Sequence, residues 1–219
     1  IWVSFKLALL IVPTVILLAL ALAVLANQRV RGIGVFRLLF ASTVAVSTAI
    51  ASNIFLMLYS SQSGTINWLL HLVGIPPVPW LLDPFWAPIA VAIATVWMSL
   101  GFTFIVLLAG MQGIPDELYE SAALDGASGW PMFRHITVPL LSPTLFFVAV
   151  VTTIAVFQAF TQIYIMTKGG PSNSTNTIVF SLYLDAFQRF QFGIASAQAM
   201  ILLAIMLLLT LLQFQVLER

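Results

Sequence analysis

The ionisable chemistry of this chain is gathered largely in one place. From Pro115 to Pro139 the sequence reads PDELYESAALDGASGWPMFRHITVP, with carboxylates at Asp116, Glu117, Glu120 and Asp125, and with Arg134 and His135 close behind. Acid–base or metal chemistry is the first thing such a set brings to mind. The spacing argues against it. The two histidines, His71 and His135, have no metal-ligand spacing, and with no cysteine there is neither a thiolate ligand nor a cysteine nucleophile. The residue types describe a helical recognition element instead. Pro115 fits the first turn of a helix, and Asp116 and Glu117 favour its N-terminal end. Leu118, Ala122 and Asp125 share a face, with Tyr119 and Ala123 beside it. Gly126 suits a left-handed stop. Ser128 and Pro131 then open a second short helix over Trp130 to Thr137, which Pro139 and Pro143 are expected to break before the next element. With Leu124, Trp130, Met132 and Phe133 around it, this small-faced knob reads either as a docking element or as a plain connecting loop.

What holds the knob in place follows from composition. The chain is 61% hydrophobic and 7% charged, where soluble domains carry about 25% charged residues. That balance describes a membrane protein, and the net charge of +1 points to no nucleic-acid partner. A membrane-crossing helix needs roughly 20 apolar residues. Five stretches qualify: Leu7 to Ala26, Leu38 to Tyr59, Trp86 to Gly110, Pro143 to Met166 and Phe192 to Val216, none with an Asp, Glu, Lys or Arg. Helices are the economical form, since backbone amides in lipid must bond within their own segment. The expected fold is therefore all-α, a polytopic transmembrane bundle forming one domain over 1–219. Arg29, Arg31 and Arg37 place the first loop in the cytoplasm. Alternation then puts 60–85 and 167–191 outside and the polar segment 111–142 inside. The first helix would start outside, so a further N-terminal helix is expected in the parent chain, with its N-terminus inside. Ala41, Ala45 and Ala49, and likewise Ala195 and Ala199, form rows of small residues that suit close helix packing.

A longer pattern joins these readings. Glu120, Ser121 and Ala122, then three residues, Gly126, nine residues, and Ile136, Thr137, Val138 and Pro139 resemble the "EAA" loop of ABC-importer permeases. Ser121 and Val138 depart from the family's Ala and Leu. From Thr167 the string TKGGPSNSTNTIVFSLYLDAFQRFQFGIASAQA resembles the carbohydrate and glycerol-phosphate branch, with Phe192, Gly193, Ser196 and Ala197 opening the last helix. The resemblance implies a type I importer permease working with a second, related permease, two cytoplasmic ATPase subunits that bind ATP and magnesium, and an extracytoplasmic solute-binding protein. It implies a bacterial cytoplasmic (inner) membrane. It also implies that Glu120, Ser121, Ala122, Ala123, Leu124, Asp125, Gly126, Ile136 and Pro139 form the surface on which an ATPase pulls, and that Gly169, Gly170 and Pro171 belong to a loop touching the binding protein.

The chain has no phosphate-binding motif of its own, because Lys168, Gly169 and Gly170 lack the following Gly-Lys-Ser/Thr. It is expected to transport rather than catalyse, without a cofactor or metal of its own. Asn53, Phe157, Gln158, Thr161, Gln162 and Tyr164 are candidates for a solute path, since amides and aromatic faces suit a hydroxyl-rich ligand; hydrogen bonding between helices is the alternative use. Lys168 and Arg189 at the outer mouth could attract a phosphate, or be ordinary loop charges. Glycerol-3-phosphate, a glycerophosphodiester and a sugar all remain open as cargo. An ion-coupled transporter is the rival class, but it normally needs intramembrane carboxylates or inverted repeats, and neither is visible.

Overall fold

The computed structural model describes residues 1–28, 32–61 and 64–217. Every regular element among them is helical. Arg29, Arg31 and Arg219 lie outside the described residues. The first helix, α1 (Trp2–Ala26), contains Pro13 and runs its length unbroken. Its buried stripe, Ser4, Leu7, Ile11, Val15, Ala19, Ala23 and Ala26, repeats at helical spacing and shrinks from leucine to alanine along the chain. The alanine end lets α1 lie close against α5 (Trp86–Gln112) and the start of α8 (Val138–Phe157). There Ala19, Ala23 and Ala26 pack with Phe104, Leu107, Met111, Leu141 and Val148. The larger end packs Leu7, Ile11 and Val15 against Ala92, Val96 and Val156. Lipid tails are as apolar as leucine, so it is close van der Waals fit, not expulsion of water, that holds such helices together. The centre is α5: 61% of its most apolar stretch is buried, against 6% for the last helix, α11 (Phe192–Leu217).

The stretch expected as one span from Leu38 to Tyr59 is two helices. α2 (Ile33–Ala41) runs into a tight 3₁₀ turn, Ser42–Ala45, and α3 (Thr48–Leu58) then leaves at 102°. Hydroxyls mark the bend. Ser42 Oγ donates to the Leu39 carbonyl at 2.8 Å and Thr43 Oγ1 to that of Phe40 at 3.1 Å. Val46 and Ser47 are extended, with ψ of 123° and 137°. Side chains that bond the local backbone compete with the helical ladder, and this segment holds several. The row Ala41, Ala45, Ala49 is thereby split, and Ala49 does not continue the face of the other two. The close approach falls on Gly101 of α5 instead, where an added Cβ would meet the Thr43 hydroxyl and the Phe40 carbonyl.

The prolines at 139 and 143 do not break the chain before the next span, as the sequence led us to expect. Helix continues from α7 (Gly129–Met132) through a π turn, Phe133–Thr137, into α8. In that turn the Val138 N–H reaches back to the Phe133 carbonyl. A π turn shifts the register by one residue, which makes room for a proline ring just beyond it. The real interruption is at Gln158, Ala159 and Phe160, after which the helix resumes as α9 (Thr161–Met166). Among the described residues four helices are long and apolar enough to cross a membrane, or five when the bent pair counts as one span.

Short helices cap both ends. α4 (Thr65–Leu72) lies in the first outer segment, pinned by Asn67, whose Oδ1 accepts from Val78 N–H and Trp80 Nε1 at 3.0 Å while its Nδ2 donates to Val78 O at 3.0 Å. α6 (Asp116–Leu124) lies at the opposite end. α10 (Ile178–Tyr183) and a π turn, Leu184–Gln188, precede α11. Ser4 at the start of α1 accepts from the Ile178 N–H at 3.1 Å, so the first helix begins at the 167–191 end of the bundle.

Gly101→Val is expected to force α5 away from the 3₁₀ turn. Overpacking of this kind costs about 1–3 kcal/mol, read as a lower Tm of the detergent-purified protein. Gly193→Ala, where the added Cβ meets open space, should leave Tm unchanged.

Candidate functional site

The polar segment forms a projecting knob. α6 starts after Pro115, which is extended at ψ 131° and so sits one position before the helix, not within it. Asp116 and Glu117 occupy the first turn, and no residue of α6 is buried. The helix stops at Gly126, φ 82°. The Gly126 N–H donates to Ala123 O at 3.1 Å and the Ala127 N–H to Ala122 O at 2.9 Å, the paired bonds of a Schellman closure. Nothing stands within 4 Å of a Cβ added at Gly126. The demand for glycine there is one of backbone angle alone. Glu120, Ser121, Ala123 and Asp125 are exposed, Ala122 is half-buried, and Leu124 is 91% exposed, the extreme among the described large apolar side chains.

Two contacts that the spacing did not reveal anchor the knob. The Tyr119 hydroxyl and Thr137 Oγ1 share a hydrogen bond of 2.9 Å, tying α6 to the π turn. Trp130 and Phe133 pack with ring centroids 5.4 Å apart, leaving Trp130 69% exposed. Ile136 is half-buried and Pro139 exposed on the same run of helix. At the root of the knob a polar cavity of about 400 Å³ is lined by Asn27, Arg37, Gln112, Gly113, Asp116 and Tyr119 among others. Arg37 donates through Nε and Nη2 to the Ala26 carbonyl, at 3.1 and 2.8 Å, closing the end of α1. α2, which carries Arg37, and the knob therefore meet at one end of the bundle.

Midway along the bundle a second cavity, about 390 Å³, lies where the two broken helices meet. Thr48, the first residue of α3, lines it from one side; Gln158, Ala159, Phe160, Thr161 and Gln162 line it from the other; Thr95 and Ser99 of α5 form its wall. Gln162 is 6% exposed and its Nε2 reaches Thr95 Oγ1 at 3.4 Å. Gln158, Thr161 and Gln162 thus come together as grouped from sequence. Three other candidates stand elsewhere. Phe157 is 1% exposed and packs edge-on against Phe5 of α1, centroids 5.1 Å apart. Asn53 points away and donates to its own helix at Ala49 O, 2.9 Å. Tyr164 stacks on the outer side of Phe160, centroids 5.4 Å apart. Thr48, Thr95 and Ser99 were missed. Each is one of several small hydroxyls in its helix, and only the tertiary crossing picks these out and gathers them.

The outer segment from Thr167 to Asn176 is a tied loop. Thr175, fully buried, bonds Thr167 Oγ1 at 2.7 Å and donates to Gly170 O at 2.9 Å. Gly169 is buried at φ 81° against the Phe180 ring, and Gly170 and Pro171 are half-buried. Beyond it Arg189 Nη1 pairs with Asp185 Oδ1 at 2.7 Å, and Gln198 Nε2 donates to Asp185 Oδ2 at 2.8 Å. Arg189 is thus a partner of a buried carboxylate, and the charge it could offer a passing anion is already engaged.

The comparisons agree with this architecture. Residues 3–219 match the family described as binding-protein-dependent transport system inner membrane component. The sn-glycerol-3-phosphate transport system permease protein UgpA of Agrobacterium fabrum is 39% identical over 203 residues, 92% of this chain and 69% of that protein. The trehalose/maltose transport system permease protein MalF of Thermococcus litoralis is 36% identical, over 91% of this chain and 68% of its own length. A bacterial ABC transporter involved in the import of the acidic polysaccharide alginate superposes with a TM-score of 0.88 at 25% identity, covering 100% of this chain and 78% of the matched one. The alginate transporter in complex with its alginate-bound periplasmic protein matches at 0.84 and 26%, over 97% of this chain and 75% of that one. This multi-pass chain belongs to the family of inner membrane components of binding-protein-dependent transport systems, the permeases of ABC importers.

Proposed function

We propose that the chain is one permease subunit of an ATP-driven importer in a cytoplasmic membrane. In this reading it pairs with a second, related permease. Two cytoplasmic ATPase subunits hold ATP and magnesium, and a solute-binding protein delivers glycerol-3-phosphate, a glycerophosphodiester or a sugar from outside.

One observation carries the reading. The exposed knob around Gly126 is bonded through Tyr119 and Thr137 to a helix that runs without interruption from Gly129 to Phe157, and that helix ends at the unwound residues of the central cavity. A push on the knob reaches Gln158 through one rigid element. Glu120, Ser121, Ala122, Ala123, Leu124, Asp125 and Gly126 then form the surface that an ATPase grips. Ile136 and Pro139 belong to the first turns of the lever. ATP-driven closure of the ATPase pair would swing α7 and α8, with α1 and α5 packed on them, as a unit and re-form the cavity toward the other side, a rigid-body transition with hinges at element ends. Breaks in helices at membrane depth are the usual place for solute sites in transporters, because the freed backbone groups can bond a ligand. The tied outer loop with Gly169, Gly170 and Pro171 would offer the binding protein a fixed turn to rest on.

Gly126→Val puts a β-branched residue into left-handed backbone, a cost of about 1–2 kcal/mol at that turn. The expected result is normal membrane insertion, with both uptake and binding-protein-stimulated ATP hydrolysis lowered at least tenfold in the purified complex; full activity would remove the knob from the coupling role. Tyr119→Phe deletes the tie to Thr137 and little else. Stimulated ATP hydrolysis should persist while solute moved per ATP falls severalfold, measured in proteoliposomes; an unchanged ratio would show that the tie does not transmit force.

A further inference from the structure

The central cavity is polar without being charged. Its hydrogen-bonding side chains are Thr48, Thr95, Ser99, Gln158, Thr161 and Gln162, and among the described residues of this chain no Asp, Glu, Lys or Arg lines it. The described cations are engaged or distant. Lys6 lies over the Trp2 ring, Arg37 is bonded to Ala26 O, and Arg189 is paired with Asp185. Arg134 and Lys168 are exposed and belong to the segments outside the spans. Helix ends do not supply a full charge. The N-terminal turns of α3 and of the short α9 and the C-terminal end of α8 border the cavity, two partial positive ends against one partial negative, and α9 has only six residues.

We infer that the solute handled at this cavity is an uncharged, hydroxyl-rich compound, a sugar or polyol and not a phosphorylated one. The inference rests on the permease reading above and narrows its cargo. A phosphate brings two negative charges and accepts hydrogen bonds without donating them. Taken from water into a site lacking Arg or Lys, it keeps a large desolvation cost that amides and hydroxyls do not offset. Gln158, Gln162 and the threonines each both donate and accept, as a sugar hydroxyl does, so every group on both sides can be satisfied. Phe160, half-buried on the lining and backed by Tyr164 and Tyr183 at 5.4 and 4.9 Å, offers an aromatic face for the C–H side of a sugar ring. Kinship alone leaves this open, since the relatives named above carry a phosphate ester, neutral disaccharides and an acidic polysaccharide. The cavity lining is what separates them.

The test is ATP-dependent uptake by proteoliposomes holding the complete importer with its cognate binding protein. The probes are radiolabelled neutral mono- and disaccharides and sn-glycerol 3-phosphate. At least one neutral sugar is expected to accumulate, with glycerol 3-phosphate at least tenfold slower. Gln158→Ala, which leaves a solute hydroxyl unpaired, should lower sugar uptake about tenfold, while Gln158→Glu, of equal size and still an acceptor, should keep it within about threefold. Glycerol 3-phosphate entering as fast as the best sugar would overturn the inference and leave the permease reading intact. Accumulation of no solute at all would overturn the permease reading, and the inference with it.

Discussion

A backbone amide in hydrocarbon has no water to bond, and this chain is arranged around that constraint. Three long helices, α1, α5 and α11, meet it along their own length, save at Pro13 of α1, which has no N–H to give. Two spans do not. The chain opens at Val46–Ser47 and again at Gln158–Phe160, far apart in sequence, and Thr48, just after the first opening, and the residues of the second line the same cavity. Unwound backbone in a membrane is stable where it is buried in protein or lines a polar space. The two breaks supply that space for each other.

Packing decides which parts can move. The alanine end of α1, Gly101 and Gly110 bring α5 into close contact with its neighbours, and at Gly110 an added Cβ would press on Thr144 and Leu141 of α8. Such contacts have little slack, so α1, α5 and the first half of α8 hold together as a unit. Freedom is left at the ends of elements: at the bend before α3 and after Phe157. The knob is a structured projection from the unit, since its glycine turn is closed by two backbone bonds and its tyrosine reaches the π turn.

The outer end works differently. Its order comes from local polar bonds: Asn67 pinning the segment before α5, Thr175 closing the 167–176 loop, and Asp185 gathering Arg189 and Gln198. The consequence for electrostatics is direct. Arg189, which a sequence reading would offer to an anionic solute, is used as a structural donor to a buried carboxylate, as Arg37 is to a helix-terminal carbonyl.

Much was legible without coordinates, for physical reasons that act locally. Length of apolar run gave the spans, because bilayer thickness is fixed. The knob was legible from Pro115, the acidic first turn and Gly126, because caps and left-handed turns are properties of a few adjacent residues. The tertiary structure alone decided three things. It broke the apolar run from Leu38 to Tyr59, which no charge or proline marks. It carried helix through Pro139, where a π turn absorbs what would otherwise be a break, and on through Pro143 inside α8. And it chose among the polar residues of the spans, drawing Gln158, Thr161 and Gln162 to Thr48, Thr95 and Ser99 while leaving Asn53 on an outer face and Phe157 in the core. Period and composition say which residues a helix carries. Which way each one faces depends on the crossing of helices distant in sequence, and that information exists only once they are packed.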